Sequence, residues 1–431
     1  MSAVVDEKLA VVAQSKAIGA AAGDSPATGA LRARAAELAE ILPLPDSYKE
    51  RPWKYVDVSS LDIAGYQPGA AAQNHADITA LRERYGVPAG SLLVQENGGT
   101  IGAEPADGVA LVDFAQASGA AADLIEAKLA SVVPMDRNKF TALHYAYLRG
   151  GVLLQVEPNA EIATPVRIIR DLQAAQLAAP HTLIVTGANS RVEVIEDFRS
   201  TDEAILVLPA VEVIPGPGSA VRYTALHRWG NQTRVFAEQH MVSERDSAFV
   251  ATNVVTGGLL VKGHVESSLI GRGSSSELFG LFLGDGDQQI DFYTLQDHIG
   301  PDTRSDLLYK SALKARSRSA YYGLTRVGLG AHNADANQED RNLLLSSDAR
   351  ADSDPVLEIL TNNIIRCSHG ATAGPVDDEQ LFYLESRGIP HLVAEAMLVR
   401  AFLGQVLDRV PDAALRAELE AVVEAKLEGN A

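Results

Sequence analysis

Leu278-Phe279-Gly280-Leu281-Phe282-Leu283 lies between two glycine turns, Gly271-Arg272-Gly273 and Gly284-Asp285-Gly286. The run is short, apolar at consecutive positions and bounded by turn residues, so it reads as a strand covered on both faces. The same texture extends in both directions. Val152-Leu153-Leu154-Gln155-Val156, Val166-Arg167-Ile168-Ile169, Leu183-Ile184-Val185 and Val192-Glu193-Val194-Ile195 precede it, and residues 221–227, 248–255, 259–265, 290–295 and 321–327 repeat the pattern. Turn residues such as Pro215-Gly216-Pro217-Gly218 and Gly257-Gly258 punctuate them at spacings of roughly 8 to 15 residues. No helical period interrupts roughly 200 residues. A sandwich, a barrel, a propeller and a β-helix all fit such a series. The length, the polar breaks and the two-sided runs lean toward a solenoid, whose coils need not share a sequence repeat.

Around this β region the sequence is helical. Leu31, Ala35, Leu38 and Ile41 recur at helical spacing before Pro43-Leu44-Pro45 ends the run. The aromatic-basic segment Arg51-Pro52-Trp53-Lys54-Tyr55 follows and reads as local packing. After Gly374, Asp377 and Gln380 stand as a helix N-cap and its N3 partner, Gly388 can close that helix, and Pro390 opens the next. Leu392, Ala396, Val399, Leu403 and Leu407 form one apolar stripe, and Leu415, Leu419, Val422 and Leu427 form another. Such stripes pack on their own domain or face a partner. The expected organisation is a helix-rich region over 1–149, a β core over 150–374 and a helical region over 375–431.

The chain has 431 residues, 46% hydrophobic and 22% charged, ordinary for a globular protein. Its 37 Lys and Arg against 56 Asp and Glu leave a formal charge of −19. That balance argues against nucleic acid or an anionic membrane, which need clustered cations. The basic stretches at 310–318 and 32–34 are expected to be solvated faces or partner contacts. A single cysteine excludes an internal disulfide framework and fits a reducing compartment. The start lacks the basic and apolar regions of a secretory signal, and no run approaches the roughly 20 apolar residues that span a bilayer. A cytoplasmic location is expected. No Gly-x-x-x-x-Gly-Lys-Ser/Thr loop and no strand-to-helix Gly-x-Gly-x-x-Gly segment occurs, so neither an intrinsic nucleotide site nor a Rossmann cofactor site is expected.

The one cysteine stands in Arg366-Cys367-Ser368-His369-Gly370-Ala371-Thr372. In a strand, positions i and i+2 share a side, so thiol and imidazole would face one place, a pairing suited to iron–sulfur or zinc chemistry. Two ligands do not close a four-ligand site, so a metal role needs further ligands from elsewhere. By itself Cys-x-His is a weak signal, and a lone cysteine is more often a buried packing residue.

Three blocks in order carry more weight: Asn342-Leu343-Leu344-Leu345-Ser346, Pro355-Val356-Leu357-Glu358-Ile359, and Cys367-Ser368-His369-Gly370-Ala371-Thr372 with the later Leu381-Phe382-Tyr383-Leu384-Glu385-Ser386-Arg387-Gly388-Ile389. Together they closely resemble the C-terminal signature of the SufB/SufD family of iron–sulfur cluster assembly scaffolds. Trp53-Lys54-Tyr55 resembles a segment of the SufD branch, with Val56 where threonine is common. The resemblance implies a right-handed parallel β-helix core between helical regions. It implies no enzyme activity of the chain's own, but pairing with a SufB paralogue through the β-helices and with the ABC-type ATPase SufC through the C-terminal helices. A homodimer in isolation is a further expectation. A nascent iron–sulfur cluster would form at a site shared with the partner, with His369 and Cys367 as ligands. The single cysteine favours the SufD branch, because cluster-bearing members carry several. A SufB-like homodimeric scaffold, a β-helix carbohydrate-active enzyme and an adaptor without a ligand role are the competing readings.

Overall fold

In the computed structural model, which describes residues 2–173 and 176–428, the centre of the chain winds as a parallel β-solenoid of about eight turns, with helices at both ends. Successive strands alternate between two sheets, so each pairs with the strand two places on. Leu260–Leu269 pairs with Gln289–His298, which pairs with Arg318–Val327. One coil here takes 29 residues, as between Lys262 and its neighbour Asp291. Parallel strands need a long crossover, and in this fold the crossover is the strand of the opposite sheet.

The two-sided run at Leu278 is explained by what lies on each side of its strand, Ser275–Gly284. Leu278 and Phe282 point inward and join the interior with Val265, Phe292, Leu307 and Tyr309. Phe279, Leu281 and Leu283 point outward and lie under the C-terminal helices with Val399, Leu403, Leu407, Leu415 and Leu419. Gly280 faces the interior, where a Cβ would come within 2.8 Å of the Tyr309 ring. Glycine is needed there so that the next coil's aromatic ring can close down.

The near end of the solenoid is closed. Strands Leu92–Glu96, Gly99–Glu104 and Val109–Asp113 lie within the stretch read as helix-rich. The first pairs in parallel with Val166–Leu172, and the other two run antiparallel, to Leu92–Glu96 and to Gly151–Val156 respectively. Backbone from residues 72–76 bonds onto this hairpin through Ala72 N–H to Glu96 and Ala76 N–H to Ile101. Helices Ser2–Ala22, Pro26–Ile41, Ile78–Tyr85, Ala120–Lys128 and Lys139–Tyr147 complete this end. Ser25 caps Pro26–Ile41, and Ala35 and Leu38 are buried as their spacing predicts, whereas Ile41 is exposed.

The far end is open. Arg350–Ile359 and Ile364–Gly374 are the last strands of their sheets, and their residues are half-buried or exposed. Helices Asp378–Ser386, His391–Leu407 and Ala413–Glu428 then fold back along the outside. Asp377 accepts from the N–H groups of Glu379 and Gln380, the predicted cap. Gly388 has φ 86° after the first of these helices, where a left-handed residue stops it.

One open reading is decided here and one expectation changes. The apolar stripes turn inward: Val399, Leu403, Leu407, Leu415 and Leu419 are buried on the chain's own sheet, Val423 is more buried than Val422, and Leu392 is 76% exposed. The basic stretch at 310–318 is not simply a solvated face. Lys310 donates to the Phe402 carbonyl at 2.7 Å, and Lys314 to those of Lys426 at 3.2 Å and Leu427 at 2.5 Å. These cations satisfy carbonyls in the helices they hold down. Arg32 is likewise buried, paired with Asp24 and donating to the carbonyls of Ala146 and Leu148.

Candidate functional site

Among the described residues, Ile364–Gly374 pairs on one side only, with Ala334–Leu344. The register sets Cys367 beside Ala336 and His369 beside Gln338, both fully buried in the solenoid interior. Side chains alternate along a strand, so Cys367 and His369 face the same way, over the interior of the last coil. Arg366 and Ser368 take the opposite face, where Arg366 pairs with Asp335 at 2.9 Å and Ser368 donates to Asn337 at 2.8 Å. With no further coil above, His369 is exposed, while Cys367 is half-buried against Val327, Ala331 and Ala334. That burial pushes the thiol up from its ordinary value.

Beneath these two side chains the interior turns polar. Gln338, Asp340 and Asn342 occupy alternate inward positions, all buried. Thr325 donates to Gln338 at 3.0 Å, and Asn342 to Asp340 at 2.7 Å. Burial pushes the Asp340 carboxyl up to about 6. Among the described residues, Cys367 and His369 belong to no group of three metal-ligating side chains with converging atoms.

The other motifs have structural places. Trp53 stacks on Phe140 with ring centroids 5.4 Å apart and packs against Phe236 at 5.8 Å. Lys54 and Tyr55 both reach Asp354 Oδ2, at 2.6 and 3.0 Å, and so tie the N-terminal region to the last coils. His298 is enclosed between Thr303 and Ser305, each at 2.8 Å, and its burial lowers it to about 4, so it is neutral. His227 lies against Phe198 and accepts from the Trp229 indole at 3.1 Å. His240 and His264, read in the sequence as scattered, meet beside Glu238. Their strands each carry a Glu and a His two residues apart, in opposite order, which is the signal that was available.

Residues 168–402 match the family model described as SUF system FeS cluster assembly, SufBD core domain. The chain is 30% identical to the iron–sulfur cluster assembly protein SufD of Bacillus subtilis over 92% of its length and 93% of that protein's. It is 30% identical to an iron–sulfur cluster assembly SufBD family protein of Mycobacterium tuberculosis, over 69% of this chain and 75% of the relative. With SufB of Bacillus subtilis it shares 26% identity over 75% of this chain and 70% of the relative. The chain belongs to the SufB/SufD family of iron–sulfur cluster assembly proteins, as a SufD-like member. No helix among the described residues is long and apolar enough to cross a membrane.

Proposed function

We propose that this chain is a non-enzymatic scaffold subunit that, with a SufB paralogue and the ATPase SufC, assembles nascent iron–sulfur clusters and passes them on as cargo. The open last strand carries this reading, because it presents Cys367 and His369 together over the coil interior. One thiolate and one imidazole leave an iron–sulfur unit short of ligands, and a cysteine-bearing surface docked on the same edge would supply the rest. His369 would act as neutral imidazole, the form that can ligate or accept a proton. The unpaired strand edge suits a second solenoid, since edge N–H and C=O groups template pairing. SufC would engage the C-terminal helices on the face turned away from the sheet, where Phe382, Tyr383, Leu392, Val393 and Met397 are exposed.

The test is co-expression with SufB and SufC from the same cell. His369→Ala is expected to give a soluble complex that hydrolyses ATP but loses the visible absorption of bound cluster, with Cys367→Ser milder. A normal cluster yield from His369→Ala removes the site and leaves the chain as an adaptor.

A further inference from the structure

A second constellation lies mid-solenoid, away from the last coil. Glu238-Gln239-His240 stands on Arg234–Ser243, and His264-Val265-Glu266 on Leu260–Leu269. The parallel register sets Glu238 beside His264 and His240 beside Glu266, a two-by-two alternation of acid and imidazole. Met241 and Val265 point into the interior, so these four residues face outward. The segment around 130–137 covers them, and Glu238, His240 and His264 are all buried.

The polar atoms converge. Glu238 Oε2 lies 2.8 Å from His240 Nε2 and 3.7 Å from His264 Nδ1, and one donor atom from each of the three residues lies within 4.8 Å of the others. His240 Nδ1 faces the Val132 carbonyl at 3.3 Å and Glu266 Oε2 at 3.5 Å. Both nitrogens of this ring therefore face acceptors. A neutral ring has one N–H; at Nε2 it donates to Glu238 and leaves the Nδ1 lone pair against Val132 and Glu266, and at Nδ1 it leaves the Nε2 lone pair aimed at the Glu238 carboxylate. Two acceptors at that distance repel unless a cation joins them. His264 has the complementary arrangement: Nε2 lies 2.8 Å from Glu266 Oε1, and an N–H there leaves Nδ1 as a lone pair toward Glu238.

Charge points the same way. Arg137 pairs with Glu266 through both guanidinium nitrogens, at 2.6 and 2.7 Å. Arg137 acts on Glu238 only through space, so among the described residues no Lys or Arg touches that carboxylate, and a buried carboxylate without a direct partner charge is costly. The cover is itself anchored: Glu212, beside His240 in register, accepts from the N–H groups of Ala130, Val132 and Val133.

We propose that Glu238 Oε2, His240 Nε2 and His264 Nδ1 bind one divalent transition-metal ion of the zinc or ferrous type. Two imidazoles and a carboxylate suit such ions and leave a fourth position for water. Val132 and Glu266 orient the two rings, the outer hydrogen bonds that metal-ligating histidines use. The ion lies beneath the 130–137 segment, linked to it through the His240 contact with the Val132 carbonyl, and it depends on neither Cys367 nor His369. Arg137 Nη1 also lies 2.7 Å from His264 Nε2. If it donates there, the ring proton moves to Nδ1, His240 donates from Nε2 to Glu238, and the group closes as a hydrogen-bonded network without metal.

Titration of the chelator-treated full chain separates the two, with Zn²⁺ against a chromophoric competitor and Co²⁺ as a spectroscopic probe. The metal site predicts one tight equivalent and a Co²⁺ ligand-field spectrum without thiolate charge transfer. It also predicts affinity at least about tenfold weaker in His240→Ala and Glu238→Gln, and unchanged binding in Cys367→Ser/His369→Ala. Circular dichroism checks that each variant folds, and the wild-type Co²⁺ spectrum decides the matter if they do not. Absence of a stoichiometric site, binding that survives His240→Ala in folded protein, or a thiolate band would overturn the proposal.

Discussion

Cys367 is the chain's only thiol, so alkylation reports on it without interference. Its burial against Val327 and Ala334 raises the thiol's pKa, and the thiolate is the reactive form. Iodoacetamide should therefore modify the native chain at pH 7 more slowly than the urea-unfolded chain, with a rate that climbs as pH rises; equal rates would refute the burial argument. Asp340 gives an opposite kind of test. Its carboxyl is pushed up to about 6 by burial, so the folded state holds the proton more tightly than the unfolded one. Stability from this group is present at pH 4 and is lost as pH rises through about 6, by at most about 3 kcal/mol. Asp340→Asn keeps the shape without the titration and should raise the urea midpoint at pH 8 but not at pH 4. At this scale the sequence revealed the Cys367–His369 pair, because a two-residue spacing needs only strand periodicity. The Glu238, His240, His264 and Glu266 group is legible only in its halves, the two Glu/His spacings; their meeting depends on the register between strands a full coil apart, which no local pattern states.

An amphipathic helix declares that it has an apolar face, not what covers it. The periodicity of Val399, Leu403 and Leu407 allows self-packing or a partner, and the covering surface is Phe279, Leu281 and Leu283 of the solenoid wall. The clue lay in that strand, whose outward apolar residues needed a cover. Leu403→Ala should then cost about 2–5 kcal/mol in urea unfolding, the range for a buried leucine. Leu392→Asp, on the exposed side, should change stability by less than about 0.5 kcal/mol while weakening capture of SufC. A Leu392→Asp chain that binds SufC normally would place the ATPase elsewhere. The three strands ahead of Gly151 are short and interleaved with helical stretches; Asn97-Gly98 between Leu92–Glu96 and Gly99–Glu104 is the local hairpin signal, whereas the pairings to Val166–Leu172 and Gly151–Val156 are distant in sequence.

For the molecule as a whole, the run of short strands and glycine turns was legible, and the fold class followed once the C-terminal motifs were recognised; strand periodicity by itself also allowed sandwiches and barrels. The open edge at Ile364–Gly374 makes an association prediction. Ile365 is 69% exposed there, and Ile365→Glu should leave the thermal transition in place while weakening pairing with SufB, read by sedimentation of the mixed proteins. Undiminished pairing would move the interface off this edge.

The unequal ends carry a further consequence. A rod with matching edges at both ends would add copies indefinitely and become a fibre. Here the antiparallel hairpin and the backbone of residues 72–76 leave the near end unlike the far one. If the far tip is the pairing edge, two molecules joined tip to tip leave only their near ends outward, and growth would stop at two.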